Sequence, residues 1–136
     1  MAGRVCGVAG AVLMAVCGVA GCGTVAERED DVRETAAVFE RALAEGAYDR
    51  ACAVLAPATA EELEQSAGGP CPRAMSEEPP PAGGPLRRAD VYGNQARAVL
   101  SSDTLFLSRF TSGWKVVAAG CVPQPPKPYR CRIKGG

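Results

Sequence analysis

From Val5 to Ala26 the chain carries no charge, and this run restricts its folding more than any other feature. It is too apolar to be a solvated loop. Gly7, Gly10, Gly18, Gly21 and Gly23 also make it a weak helix for a domain core. A basic residue at Arg4, an apolar stretch and small residues at its end are the architecture of an export signal. An uncleaved membrane span, which needs about 20 apolar residues, and ordinary secretion are the alternatives. Export places the remaining chain in an oxidising compartment, and the cysteines are read in that light.

The run closes with Val19-Ala20-Gly21-Cys22. This resembles the bacterial lipobox, in which an aliphatic residue and two small residues precede a cysteine. The resemblance implies a diacylglyceryl group on Cys22, with acyl chains such as palmitate, and cleavage between Gly21 and Cys22. One acyl chain anchors a protein only marginally, whereas two hold it stably. The expected location is the extracytoplasmic face of the cell membrane, with residues 1–21 lost as a lipoprotein signal peptide and no transmembrane helix in the mature chain.

The seven cysteines then sort themselves. Cys6 and Cys17 leave with the signal and Cys22 carries lipid, so Cys52, Cys71, Cys121 and Cys131 remain. An even number in an exported chain reads as disulfides. Three pairings are possible, and the expected one is local: Cys52–Cys71 and Cys121–Cys131. Free thiols and a four-cysteine metal site are the alternatives, but the compartment is oxidising and no CxxC pair is present. The chain has no histidine, which excludes Ser-His-Asp and Cys-His catalysis and His-ligated zinc. No cofactor and no metal are expected. Fifteen basic and fifteen acidic side chains cancel, which argues against a nucleic-acid partner.

The rest of the chain divides into helices followed by strands. Residues 22–31 look like an acidic tether. Val32, Ala36, Phe39 and Leu43 then recur at helical spacing, with acid at the N-terminal end and Gly46 as the stop. A second helix is expected from Tyr48 to Ala56, ended by Pro57. A third is expected to about Ala67, opened by a capping box over Thr59–Glu62 and ended by Gly68-Gly69-Pro70. Residues 76–85 read as a Pro/Gly linker or surface loop. Four strands are expected over 88–92, 95–101, 104–110 and 114–121, joined by short turns as an antiparallel meander. The expectation is an α+β domain over residues 32–122: helices packed on a curved antiparallel four-stranded sheet. A disulfide-stapled basic tail, 123–136, follows.

Phe39-Glu-Arg-Ala-Leu-Ala-Glu-Gly-Ala-Tyr-Asp-Arg-Ala-Cys52 resembles the opening of the nuclear-transport-factor-two-like superfamily. Gly113-Trp-Lys-Val-Val-Ala-Ala-Gly-Cys121 and Pro128-Tyr-Arg-Cys131 resemble the late strand and tail of its small actinobacterial lipoproteins. The resemblance implies a cone-shaped domain whose sheet wraps the helices and encloses a pocket in some members. The superfamily's enzymes carry pocket acids and bases, and no such motif matches here. Asp90, Tyr92 and Trp114 are the candidate pocket residues, each with a structural role (solvation, packing, sheet anchoring) as the alternative. Asp103 reads as a turn former. Lys127, Arg130, Arg132 and Lys134 read as a solvated basic tail, with contact to anionic lipid or wall polymer as the alternative. The expected function is a non-enzymatic domain that binds an unidentified ligand or protein partner at the cell envelope. The alternative is a small cyclase- or isomerase-like enzyme with an Asp in the cone.

Overall fold

The computed structural model describes residues 23–135. The signal segment with Cys6 and Cys17, the cleavage site at Gly21 and the lipid site at Cys22 lie outside the described residues. Four helices precede five strands: α1 (Val25–Glu45), α2 (Tyr48–Ala53), α3 (Pro57–Ala67), α4 (Cys71–Glu77), β1 (Leu86–Tyr92), β2 (Gln95–Leu100), β3 (Thr104–Phe110), β4 (Gly113–Gln124) and β5 (Lys127–Lys134). The strands form one open antiparallel sheet in chain order, β1-β2-β3-β4-β5. The class is α+β, as expected, with one strand more than the four anticipated.

Helix α1 buries the expected stripe, Val32, Ala36, Phe39 and Leu43, together with Ala42. It begins earlier than expected. The Thr24 hydroxyl accepts from the Glu27 N–H while the Glu27 carboxylate accepts from the Thr24 N–H, a capping box that turns most of the anticipated tether into helix. Gly46 at φ +67° closes α1, a conformation that suits glycine. Helix α3 starts at Pro57, two residues ahead of the capping box expected at Thr59. Proline is tolerated there because a first-turn N–H has no helical partner. Thr59 is instead buried, and its hydroxyl donates to the Val117 carbonyl at 3.0 Å.

Helix α1 lies across β1, β2 and β4. β1 and β2 offer it Ala89, Ala96 and Ala98, small enough for close approach, while Leu105, Leu107, Trp114 and Val116 fill the space over β3 and β4. Fully burying a side chain such as Phe39 or Leu105 contributes about 2 kcal/mol. The segment between α2 and α3 adds to the sheet layer: Val116 donates to the Val54 carbonyl and Ala56 donates to the Val116 carbonyl, each at 2.8 Å.

Both expected disulfides are present. Cys52–Cys71 ties α2 to α4, and Cys121–Cys131 joins β4 to β5. Helix α4, which the sequence reading did not anticipate, is carried by Cys71, Ala74 and Met75, all buried. The expected loop, residues 76–85, includes the end of α4. Its remainder stays out of the sheet but is pinned: Pro80 and Gly83 are buried, and the Gly83 and Pro85 carbonyls accept from Ser102 and Ser101. The anticipated tail is the end of β4 and all of β5. Pro128 is tolerated because β5 is an edge strand, Pro123 falls at the register shift between Val122 and Gln124, and Pro125-Pro126 lie in the turn. No helix among the described residues is long and apolar enough to cross a membrane.

Candidate functional site

The three candidate pocket residues are not brought together. Asp90 lies opposite Arg97 in the β1–β2 ladder, next to buried Ala89, and therefore on the face turned away from the helices. Tyr92 shares that face and is 64% exposed. Trp114 lies on the helix side, 5% exposed within the core, where its indole N–H has no partner. It anchors the sheet, and nothing places it beside Asp90.

Asp90 is engaged by two arginines. Its Oδ2 accepts from Arg97 Nη2 at 2.9 Å and from Arg88 Nε at 3.0 Å. The hydrogen bond from Arg97 is the main cause that holds the Asp90 carboxyl below its usual range, with both guanidinium charges acting the same way. A general base with raised affinity for protons would need the opposite environment.

Two other carboxylates matter more to the architecture. Asp103 is not simply a turn former. Its Oδ1 accepts from the N–H groups of Thr104 (2.6 Å) and Cys121 (2.7 Å), and its Oδ2 from Gly120 (3.0 Å). It therefore fastens the β2–β3 turn to β4 where Gly120 adopts φ +65°. Glu40, on α1, accepts from the Gly83 N–H at 2.6 Å through Oε2, while Oε1 is buried without a partner. Burial pushes the Glu40 carboxyl above its ordinary value. The Asp103 charge adds to this, and the Gly83 hydrogen bond opposes it.

The sign of the Glu40 shift sets a pH dependence. Because the folded chain holds this proton more tightly than the unfolded chain, protonated Glu40 favours the fold at low pH. That contribution is lost as pH rises through the raised value. Glu40→Gln keeps an acceptor for Gly83 and removes the titration. Its stability relative to the wild type should therefore improve as pH is raised from about 4 to 7, read by urea unfolding at each pH. A difference that stays constant across the range contradicts the assignment.

The clefts lie on the surface. One, of about 360 Å³, runs between α3, α4 and β5. Glu62, Glu77 and Glu78 line one side, Arg132 and Lys134 the other, and Ile133 contributes apolar surface. Among the described residues, no group of three or more Cys, Asp or Glu side chains is placed to hold a metal ion. The sequence does not single out Glu40 and marks Asp103 only as a turn former, because their partners come from β4 and the Gly83 segment rather than from neighbours in the chain. No family model matches the chain, and neither a curated protein nor a solved structure does.

Proposed function

We propose that the chain is a lipid-anchored protein of the cell envelope, held on the extracytoplasmic face of the membrane through Cys22. In this reading its cone-like, nuclear-transport-factor-two-like domain binds a ligand or protein partner rather than transforming one. The observation that carries this reading is the filled space between helices and sheet. Phe39, Met75, Leu105 and Leu107 are each no more than 1% exposed there, so the layer that would house an enzyme's substrate is occupied by side chains. A ligand then binds at the surface, and the groove between α3, α4 and β5, with opposite charges on its two walls, is the best-formed place for it. The two disulfides support an exported chain. A cyclase- or isomerase-like enzyme is the second reading. Glu40, with its raised carboxyl and unpartnered Oε1, is the observation in its favour, rather than an Asp.

The anchor is tested by growing the source cells with a labelled fatty acid. The wild-type chain should take up the label and Cys22→Ala should take up none. Equal labelling of the two, or labelling of neither, removes the lipoprotein reading.

A further inference from the structure

The balanced charge of the chain conceals a separation by layer. Residues 23–85, the helices and their loops, carry five basic and thirteen acidic side chains, a net of −8. Residues 86–135, the sheet, carry nine basic and two acidic, a net of +7. Of those two acids, Asp103 is engaged by backbone N–H groups, and Asp90 neutralises one of the two arginines that flank it on the outer face, so the excess rests on the remaining cations.

The face of the sheet turned away from the helices gathers this charge. Arg88 and Arg97 flank Asp90, and Lys134 lies opposite Ala118, while Arg130, opposite Val122 and next in β5 to Tyr129, whose ring packs on Phe106, lies on the side of the β4–β5 hairpin turned away from that packing. The Arg132 side chain covers Gly120. Large apolar side chains stand exposed among them. Tyr92 pairs with Gln95 on this face, Phe110 alternates in step with Phe106, and Val122 lies at the far end of β4. In the middle, the Phe106 and Tyr129 rings meet edge to face at 5.1 Å. Basic groups around exposed aromatic and aliphatic side chains make a surface suited to the interface of an anionic bilayer.

The start of α1 places this face within reach of a membrane. Arg28, one turn into α1, donates to the Gly93 carbonyl in the β1–β2 turn, beside Tyr92. Exposed Val25 lies at the same end of the molecule. Val25 lies three residue steps from Cys22, a reach of about 10 Å.

We propose that the outer face of the β-sheet docks on the surface of an anionic phospholipid bilayer, turning the acidic helix layer outward. The inference rests on the lipid anchor at Cys22 for its proximity to the membrane, and on the layer charges for its orientation. Arg132 and Lys134, which also form the basic wall of the groove beside α3 and α4, are then shared between the membrane contact and the groove.

The chain's three lysines, Lys115, Lys127 and Lys134, all lie in the sheet, so an amine-reactive reagent reports on this layer. The full chain is reconstituted in vesicles of phosphatidylcholine, or of phosphatidylcholine mixed equally with phosphatidylglycerol, and treated with a water-soluble acetylating reagent. Lys127 and Lys134 should be modified about fivefold more slowly on the anionic vesicles, and high salt should restore the rate. The pair Arg130→Glu and Arg132→Glu should lose the protection. Because charge reversal beside Gly120 can disturb the hairpin, Tyr92→Ser with Phe110→Ser serves as a second variant and should weaken it as well. Equal rates on both vesicles overturn the proposal, as does protection that appears only with an added acidic protein. Intact mass separates the two readings. A Cys22 without acyl groups removes the anchor, while the full chain added to preformed vesicles still tests the face.

Discussion

Asp103→Ala should destabilise the fold by about 3 kcal/mol, measured as the shift in urea midpoint at constant slope. One carboxylate satisfies the N–H groups of Thr104, Gly120 and Cys121, and Thr104 and Cys121 are buried. Removing it orphans several donors at once. Each buried donor left unpaired costs about 1–3 kcal/mol, less where water can enter. Asp103→Asn retains one acceptor oxygen and should fall between the alanine variant and the wild type. The loss should concentrate in the β4–β5 hairpin, because Gly120 and Cys121 begin its free end. A change below about 0.5 kcal/mol would mean that the carboxylate is an ornament of the turn.

Replacing Cys52 and Cys71 together with Ala should cost a similar amount, about 3 kcal/mol. The bond spans 19 residues and joins two helices too short to be stable alone. Helix α4 supplies Met75, fully buried in the same core cluster as Phe39, so loosening it opens the core rather than the surface. The equivalent change at Cys121 and Cys131 spans 10 residues and should cost slightly less by the same entropy argument. Thermal unfolding of the two double variants, with the wild type under reducing conditions as a third case, compares them. An unchanged unfolding temperature for the 52–71 variant would contradict the place given to α4.

The parts of the fold that declared themselves in the sequence were those with a period. Val32, Ala36, Phe39 and Leu43 mark α1, and alternation marks β2, β3 and β4. What escaped had its signal overlaid by composition. Acid between Glu27 and Asp31 suggested a solvated tether, although Thr24 and Glu27 stand at capping-box spacing. Gly68-Gly69-Pro70 and the later prolines hid α4, whose seven residues are too few to show a helical period. Pro123, Pro125, Pro126 and Pro128 suggest a tail, whereas they fall at a register shift, in a turn and in an edge strand, where missing N–H groups do no harm.

Site residues were less legible than elements. Asp90 and Tyr92 do share one strand face, but which face meets the helices is decided by Ala89 and Val91 against α1, a tertiary matter. Trp114 went to the other side by the same alternation. Glu40 sits directly after Phe39 and has no local feature that distinguishes it from the other acids of α1. Only the approach of Gly83 and Asp103 sets it apart. The separation of charge between layers was concealed by the zero total, because it emerges only when residues are assigned to helices or to the sheet.

The two local disulfide loops and the proposed anchor at Cys22 belong to one chain. A peptide map of the membrane-extracted protein, digested without reduction, tests both together. The predicted map contains a 52–71 linked pair, a 121–131 linked pair and an N-terminal peptide that begins at an acylated Cys22. A crossed pairing among Cys52, Cys71, Cys121 and Cys131, or a peptide running unmodified through Gly21-Cys22, would contradict it.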